Sequence, residues 1–310
     1  MDRIWAFKME PLVYIIILNY NGGQEIIECL QSCQKIHYPR FRILVVDNAS
    51  ADHSIAQIKK QFKEVAVIQN QENLGFAAGN NVGIKYALSQ KADYVLLLNN
   101  DTVVSEDFLT KMVQLAEKET NIGIAVPKIL YYQSNKLWEG WGKKIDYIRG
   151  RVTVSTEEAI NQPQETIHAT GCAMLIKRAV FEKIGFLSED YFMYFEDIDF
   201  SLKARKAGFK IFYQPKAVIW HRFNRGTSLM NQYYWQRSRV IFALKCAPNI
   251  LIKTLAFVWI LFRICKLFFK YQLSKLRGTE DQESKLVYQA TINGLKKDKA
   301  PLTNTGEVSK

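Results

Sequence analysis

The chain has 310 residues, of which 48% are hydrophobic, and its formal net charge at pH 7 is +12. A chain of this length and composition can bury a substantial core in one large domain or two smaller ones, which excludes a wholly disordered protein. Its positive charge suits nucleic acid, anionic lipid or a phosphorylated substrate. Because the sequence contains no helix-turn-helix, zinc-finger or ribonucleoprotein signature, we expect no nucleic-acid partner.

Apolar runs typical of buried strands alternate with segments of helical spacing in the first third of the chain. The runs are residues 12–18, 41–46, 65–68 and 94–98. This alternation predicts a mostly parallel sheet with helices on both faces. Ligands of such sheets bind beyond the carboxyl ends of the strands. Polar residues follow three of these ends, at Asn19, Asp47 and positions 99–101, and we interpret them as candidate ligand-binding residues.

Three glycines, Gly75, Gly79 and Gly83, stand four residues apart where a helical pattern begins. Small residues at this spacing allow a helix to pack closely on a neighbouring element. Alternatively, a glycine-rich helix N-terminus can approach a diphosphate. Neither the dinucleotide-binding G-x-G-x-x-G pattern nor the P-loop pattern is matched, which disfavours those two nucleotide folds. Both interpretations of the glycines stay open at this stage.

Asp47, Asp101 and His221 each have a structural and a functional interpretation. Asp47 could cap a helix, or it could accept hydrogen bonds from a base or ribose. Asp101 could be a turn residue, or it could bind Mg²⁺ or Mn²⁺, which prefer oxygen ligands and share them with substrate phosphates. His221 follows a strand-like run and precedes a basic loop containing Arg225 and Gly226, and it is either structural or a ligand.

Residues 191–199 combine aromatic residues with acidic ones. Glu196, Asp197 and Asp199 stand beside four aromatic residues and immediately before a predicted helix. Burial and like charges raise the pKa of a carboxyl, whereas a metal or a cation lowers it. Such clusters are therefore typical of a general base or an ion-binding site.

The five cysteines are odd in number and stand mostly in apolar or helical surroundings. This pattern favours buried free thiols in a reducing cytosol, and the sequence has no secretory signal pattern at its start. Cys29 and Cys33 lack a nearby Cys or His pair, which disfavours zinc. The Gly- and Trp-rich segment 138–142 predicts a loop.

The basic excess is concentrated at the C-terminus, where residues 241–310 contain 12 Lys and Arg against 5 Asp and Glu. Residues 250–269 are strongly apolar but are interrupted by cations, so the run is too short to span a bilayer. On a helix, Arg263, Lys266 and Lys270 would fall within about 60° of one another beside an apolar face. That pattern favours the membrane interface, although the face could instead pack on the catalytic domain or on a second subunit. The polar final forty residues are predicted to be mobile.

In this order the motifs resemble the inverting family 2 glycosyltransferases of the GT-A fold, especially the bacterial rhamnosyltransferase-like branch that builds cell-surface polysaccharides. The resembling segments are residues 15–22, 45–50, 73–83, 96–101, 170–177 and 191–199, followed by His221. The resemblance implies an α/β GT-A catalytic domain in residues 1–240. A basic amphipathic helical extension with a mobile tail would follow in residues 241–310.

By position, the resemblance also implies roles for individual residues. The nucleotide would contact Asn19, Tyr20, Asp47, Gly75, Asn80 and Asn99. The acceptor would contact Gly171, Cys172 and Glu196. Asp101 and His221 would bind Mn²⁺ or Mg²⁺, and Asp197, paired with Glu196, would be the catalytic base. Asn99 stands where many family members have Asp, so the metal site would have one anionic ligand fewer.

The implied activity is transfer of a sugar, rhamnose being one candidate, from a nucleoside-diphosphate donor to a hydroxyl of a glycan or lipid-linked acceptor. The enzyme would be cytoplasmic and peripheral on the inner face of the cell membrane, docked through residues 249–270, and a homo-oligomer is compatible with this location. Two alternatives stay open: a catalytically silent sugar-nucleotide-binding protein, suggested by Asn99, and a membrane-surface assembly protein that binds liposomes without binding a nucleotide sugar.

Overall fold

The strands and helices predicted for the first third of the chain are all present in the computed structural model, which describes residues 9–139, 142–154, 161–222, 228–279 and 281–297. The strands are β1 (Val13–Asn19), β2 (Phe41–Asp47), β3 (Ala66–Gln69), β4 (Tyr94–Asn99), β5 (Thr102–Val104), β6 (Ile122–Tyr131), β7 (Leu137–Glu139), β8 (Gly142–Asp146), β9 (Arg151–Val154), β10 (Gln164–Thr166), β11 (Ala173–Lys177) and β12 (Lys210–His221). The helices are α1 (Gly23–Cys33), α2 (Ser54–Gln61), α3 (Gly75–Ser89), α4 (Phe108–Ala116), α5 (Arg178–Ile184), α6 (Glu196–Lys206), α7 (Leu229–Lys245), α8 (Ile250–Leu276) and α9 (Gln282–Lys296).

A central sheet runs in the order β10-β12-β6-β11-β4-β1-β2-β3, with β5 paired to β12 and β7 paired to β6. The neighbours β3, β2, β1 and β4 are parallel, as are β6 and β12, whereas β10 and β11 pair antiparallel to their neighbours. The predicted α/β architecture with a largely parallel sheet is thus confirmed, and the antiparallel insertion of β11 adds to it.

Alternate residues of β1 point to two separate cores, one on each face of the sheet. Val13, Ile15 and Ile17 pack with α1, α2 and α4 on one face. Tyr14 and Ile16 pack with α3, α5 and α6 on the other. Because both faces are covered, the strand is apolar along its whole length rather than alternating.

The loop expected at residues 138–142 is wrong for most of that segment. Leu137 and Glu139 pair with β6, and Gly142 begins β8, which pairs with β9; residues 140 and 141 lie outside the described residues. Short edge strands of this kind depend on partners that are distant in the chain, and the local composition does not reveal them.

The C-terminal helices form one packed unit with α7. Tyr233 and Tyr234 of α7 are buried with Leu286 and Ala290 of α9, and Asn293 Nδ2 donates to the Tyr233 hydroxyl at 2.6 Å. The boundary expected at residue 240 therefore lies inside α7, and the mobile tail expected from residue 271 onward is wrong for α9. Residues 298–310 lie outside the described residues.

Helix α8 is 27 residues long and contacts the rest of the protein along a narrow strip. Ala256 and Ile260 are buried against α7, whereas Leu251, Phe262 and Phe269 are between 64% and 68% exposed. Within the described residues, no helix combines the length and apolar character needed to cross a membrane. The cysteines, all of them within the described residues, form no disulfide, and Cys265 of α8 is exposed rather than buried as expected.

Candidate active site

The polar residues predicted to follow the strands meet at one edge of the sheet. Asn19, the last residue of β1, lies directly beside Asp47 of β2, and Leu18 lies beside Asn99 of β4. This edge contains the carboxyl ends of three parallel strands. The chain therefore concentrates amide and carboxylate groups at the position where α/β sheets bind ligands.

Asn19 is fully buried and organises a hydrogen-bond network. Its amide nitrogen donates to Asp47 Oδ1 at 2.9 Å, Ser54 Oγ at 3.0 Å and Ser50 Oγ at 3.1 Å. Asn100 Nδ2 donates to Asn19 Oδ1 at 3.2 Å. The sequence pointed to Asn19, Asp47 and Asn100 but missed Ser50 and Ser54, although Ser50 stands in the same polar run as Asp47.

Asp47 is almost fully buried, and both of its carboxylate oxygens accept hydrogen bonds from Ser50. Tyr20, which follows Asn19, is 51% exposed. A fixed carboxylate can accept from a hydroxyl or ring N–H, and an exposed aromatic ring can stack on a planar base. The pair fits the nucleotide-contacting role that the sequence suggested.

The N-terminus of α3 is joined to the acidic and aromatic segment by a close backbone contact. Phe76 N donates to Phe192 O at 2.6 Å, and Gly75 adopts φ +78°. A Cβ at Gly75 would lie 2.3 Å from Phe192 O. On its other side, Asn48 Nδ2 donates to Gly75 O at 2.9 Å. Glycine is required here both by its backbone conformation and by the approach of Phe192.

We expect Gly75→Ala to lower the free energy of unfolding considerably more than Gly185→Ala. Gly185 has φ +79° but open space at its Cβ position, so its substitution measures the conformational cost alone, about 1–3 kcal/mol. The overlap with the Phe192 backbone should add about 1–3 kcal/mol at Gly75. Urea unfolding of the two variants checks this difference, and equal losses would show that the contact with Phe192 is not tight.

The other two glycines of α3, Gly79 and Gly83, allow the helix to pack closely against the sheet. A Cβ at Gly79 would meet Leu18 and the Asn48 amide, and one at Gly83 would meet Ile16 and Val46. Asn80 is buried, and its amide donates to Phe76 O within the same helix. The contacts of the described residues thus give Asn80 a role inside α3 and do not join it to the Asn19 network.

Asp101 and His221 lie together, although 120 positions separate them in the sequence. His221 Nε2 is 3.1 Å from Asp101 Oδ1, and β12 brings the histidine there through its pairing with β5. The Trp138 ring packs edge-on against the His221 ring, with centroids 4.7 Å apart. The basic loop expected after His221 includes residues 223–227, which lie outside the described residues.

The donor set of this pair fits a divalent cation. Two atoms that bind one octahedral ion at about 2.1 Å from adjacent corners lie roughly 3.0 Å apart, close to the observed separation. Within the described residues no group of three or more His, Cys, Asp or Glu side chains is arranged to hold a metal. Mg²⁺ and Mn²⁺ commonly take one or two protein carboxylates and complete their shell with water and substrate phosphates. Asn99, whose side chain makes no hydrogen bond among the described residues, could supply a further oxygen.

Asp197 lies at the N-terminus of α6 and accepts two backbone hydrogen bonds. Gly171 N donates to Asp197 Oδ2 at 2.9 Å, and Ile198 N donates to Oδ1 at 2.8 Å. These donors and the positive end of the helix dipole stabilise the ionised carboxylate.

The neighbouring acids of this segment have different environments. Burial raises the pKa of the Glu196 carboxyl well above its usual range, and the Asp197 carboxylate raises it further. The Glu196 carboxyl therefore ionises less readily than an ordinary glutamate. Asp199 is buried and bound by Lys203 at 3.4 Å and Lys245 at 3.0 Å, which gives it a structural role.

Helix α7 holds the acidic and aromatic segment in place. Tyr194 and Phe195 have φ of 69° and 71°, a left-handed conformation that is costly for bulky residues. Their neighbours bind α7: Ser238 Oγ donates to Met193 O at 2.8 Å, and the Phe192 ring stacks on Tyr234 with centroids 4.4 Å apart.

The Asp197 segment and the Asp101 segment are linked through two adjacent residues. Asn99 N donates to Cys172 O at 2.9 Å, while Gly171 N donates to Asp197. Gly171 and Cys172 thus contribute their backbones, and the Cys172 side chain is buried. The two acidic segments, which stand far apart in the sequence, are thus joined by backbone hydrogen bonds of adjacent residues.

A sheet of this order, with amides and carboxylates at the ends of its parallel strands, defines the GT-A class of nucleotide-diphosphosugar transferase folds. The model of glycosyl transferase family 2 matches residues 14–185, more than half of the chain, and the chain belongs to this family.

Relatives share part of their length with this chain. The low-salt glycan biosynthesis hexosyltransferase Agl10 of Haloferax volcanii is 28% identical over 204 residues, covering 64% of this chain and 62% of the relative. The poly-beta-1,6-N-acetyl-D-glucosamine synthase of Staphylococcus aureus is 25% identical over 217 residues, covering 69% of this chain and 50% of the relative. The chain thus spans less than two thirds of either curated relative.

Solved structures show the same fold at low sequence identity. The mannosyltransferase PcManGT of Pyrobaculum calidifontis, in complex with GDP-Man and Mn²⁺, superposes with a TM-score of 0.59 at 15% identity and covers 94% of this chain and 89% of its own. GalNAc-T7 with UDP, GalNAc and Mn²⁺ also superposes with a TM-score of 0.59, at 16% identity, and covers 70% of this chain and 45% of its own.

Proposed function

We propose that this chain is an inverting, metal-dependent glycosyltransferase that moves a hexose-type sugar from a nucleoside diphosphate to an acceptor hydroxyl. The observation that carries the proposal is the joining of Asp197 to the Asp101 and His221 pair through Gly171, Cys172 and Asn99. This connection supports a site in which a base and a cation act on the same substrate. The names of the relatives, a hexosyltransferase and a polysaccharide synthase, support the same reaction class.

The donor would bind across the carboxyl ends of β1, β2 and β4. Asp47 would accept from the base or ribose, and Tyr20 would lie against the planar base. Gly75 at the start of α3 admits the Phe192 backbone, so it would act on the site by holding residues 191–199 in place. Asp101 and His221 would hold Mn²⁺ or Mg²⁺, which when bound offsets the charge that develops on a leaving diphosphate. The Mn²⁺ in two structures of the same fold supports this cofactor.

Asp197 would accept the proton of the acceptor hydroxyl as that oxygen attacks the anomeric carbon. Attack from the face opposite the departing diphosphate inverts the anomeric configuration in a single displacement. The raised pKa of Glu196 beside it would disfavour a second negative charge next to the base. General base catalysis of this kind typically supplies about 10²–10⁴-fold in rate.

A panel of nucleotide sugars, rhamnose donors included, tests the proposal. The expected result is Mn²⁺-dependent release of nucleoside diphosphate from one donor, increased by a glycan or lipid-linked acceptor. A second candidate, a silent sugar-nucleotide-binding protein, is favoured by Asn99 at a position where an aspartate would strengthen the metal site. Donor binding with neither hydrolysis nor transfer would select this second candidate.

We further propose that the enzyme works at the cytoplasmic membrane surface through α8. The exposed apolar residues of α8 recur at helical spacing, at Leu251, Leu255, Val258, Phe262 and Phe269. The helix contains five Lys and Arg residues and no Asp or Glu. An apolar face bordered by cations complements the acyl chains and anionic headgroups of a bilayer, and this charge pattern favours lipid over a second copy of the chain as the occupant.

We expect Phe262→Glu/Phe269→Glu to abolish flotation with anionic vesicles while leaving nucleotide-sugar binding unchanged. Two carboxylates in the middle of the apolar face would have to enter the acyl region, at a cost of several kcal/mol. The control is Gln57→Glu/Gln61→Glu on exposed positions of α2, which makes the same change in charge. Flotation of the α8 variant, or its conversion from a dimer to a monomer in sedimentation, would assign the face to another occupant.

A further inference from the structure

Four arginines gather between the β8–β9 turn, α7 and α8. Arg239 of α7 donates from Nε to Arg149 O, and its guanidinium lies between the rings of Trp235 and Trp259, 5.0 Å and 4.8 Å from their centroids. Arg263 of α8 lies 5.5 Å from the centroid of the Trp259 ring. Arg149 and Arg151 on the turn are exposed and complete the group, which we name the arginine cluster.

Arg239 is only 2% exposed, yet its Nη2 has no hydrogen-bond partner among the described residues. A buried guanidinium nitrogen without an acceptor is costly, since it has lost its water. Burial, followed by the positive charges of Arg263 and Arg151, lowers the pKa of Arg239 to about 9, so the group is still charged at neutral pH. A charged, buried donor such as Arg239 Nη2 is typical of a site that binds an anion.

The charge of the arginine cluster is poorly balanced within the part of the chain that the structure describes. Asp146 contacts Arg149 at 3.5 Å, and Gln236 Oε1 accepts from Arg263 at 2.7 Å. The pKa of Arg263 is lowered by burial and then by Arg151, as expected for cations that share little negative charge. A phosphate, with several acceptor oxygens and a negative charge, suits guanidinium groups arranged in this way.

The arginine cluster lies between the two surfaces already assigned a role. On one side, Trp235 contacts the Phe195 ring, with centroids 6.0 Å apart, and Phe195 directly precedes Glu196 and Asp197. On the other side, Arg263 borders the exposed apolar face of α8. A lipid whose chain lay against that face would bring its headgroup to the arginine cluster and its headgroup sugar toward Asp197.

We infer that the arginine cluster binds the phosphate or diphosphate of a lipid that carries the acceptor, with the lipid chain in the membrane under α8. This inference rests on the proposed function for its purpose. The binding itself depends only on Arg149, Arg151, Arg239 and Arg263. It gives the acceptor a chemical class: a phosphorylated lipid rather than a free glycan.

Farnesyl diphosphate, a soluble short-chain lipid diphosphate, is the probe, used with EDTA so that no metal site can bind its diphosphate. Trp235 and Trp259 flank Arg239, and their fluorescence reports occupancy. Arg149→Gln/Arg151→Gln changes only exposed side chains, and we expect it to weaken binding roughly tenfold or more, as loss of charged hydrogen bonds does. The control, Lys59→Gln/Lys60→Gln, removes two exposed cations from α2 and should bind as the wild type does.

Inorganic diphosphate and farnesol measure separately how much affinity comes from the diphosphate group and how much from the lipid chain. Both are expected to bind more weakly than farnesyl diphosphate, because each supplies half of the contacts. Inorganic diphosphate binding equally well would overturn the lipid assignment, and an unchanged affinity in the Arg149→Gln/Arg151→Gln variant would overturn the site. If the protein binds the probe through these arginines but transfers no sugar, the lipid site is supported and the proposed activity is contradicted.

Discussion

Replacing Asp197 by Asn is expected to lower sugar transfer by about 10²- to 10⁴-fold while donor affinity stays near the wild-type value. The amide keeps the shape of the side chain but cannot take a proton. It also meets the N–H of Gly171 or Ile198 less favourably than a carboxylate does, so a modest loss of stability of about 1 kcal/mol should accompany it. Acceptor-dependent release of nucleoside diphosphate, with thermal unfolding alongside, measures both effects.

Glu196→Gln is the matched control for this variant. Since burial favours the uncharged carboxyl of Glu196, glutamine resembles it, and transfer should change little. The raised pKa means that the native state holds a proton that the unfolded chain releases, so wild-type stability falls as pH rises above the ordinary glutamate range toward the folded-state pKa. The glutamine variant should lack this dependence of stability on pH. A collapse of transfer in Glu196→Gln alone would move the role of base to Glu196.

Asp101→Ala is expected to remove most Mn²⁺-dependent turnover, by roughly 10²–10³-fold, because a bound cation contributes several kcal/mol to the transition state. His221→Ala should be milder, since a neutral ligand is lost rather than an anionic one. Excess EDTA should silence the wild type, and added Mn²⁺ should restore it.

Asp107→Ala provides the comparison, because Asp107 is exposed and contacts Lys111 rather than His221. It should retain full activity and full metal response. Wild-type turnover that persists in excess EDTA would contradict the role of the Asp101 and His221 pair. It would leave the diphosphate to be stabilised by protein groups alone.

The sequence was sufficient to predict the strands that end in polar residues, since β1, β2 and β4 are buried on both faces and form continuous apolar runs. It was also sufficient to bring Asn19 and Asp47 together, because parallel strands end at the same edge. It did not separate Asn99 from Asn100, because both are asparagines at the end of one apolar run. In the structure Asn99 ends β4, and Asn100, in the turn that follows, donates to Asn19.

Other features depend on partners that are distant in the chain. Antiparallel β11 joins β4 to β6, and its five residues carry no mark of direction. Helix α9 is polar enough to suggest a mobile tail, yet the small residues Ala290 and Gly294 let it approach α7 closely. The sequence suggested that His221 and Asp101 act together, but their 3.1 Å separation depends on the pairing of β12 with β5.

The packing of α7 against residues 190–195 limits which segments such enzymes can exchange by recombination during evolution. Glycine at positions 194 and 195 would relieve the left-handed strain but would remove rings that pack on α7, including the contact of Phe195 with Phe242 at 5.3 Å. The conformation of residues 190–195, which precede Asp197, therefore depends on the sequence of α7. A chimaera that took its C-terminal half from a relative would need to carry α7 and residues 190–195 as one cassette, whereas α8 could be replaced with fewer matched changes.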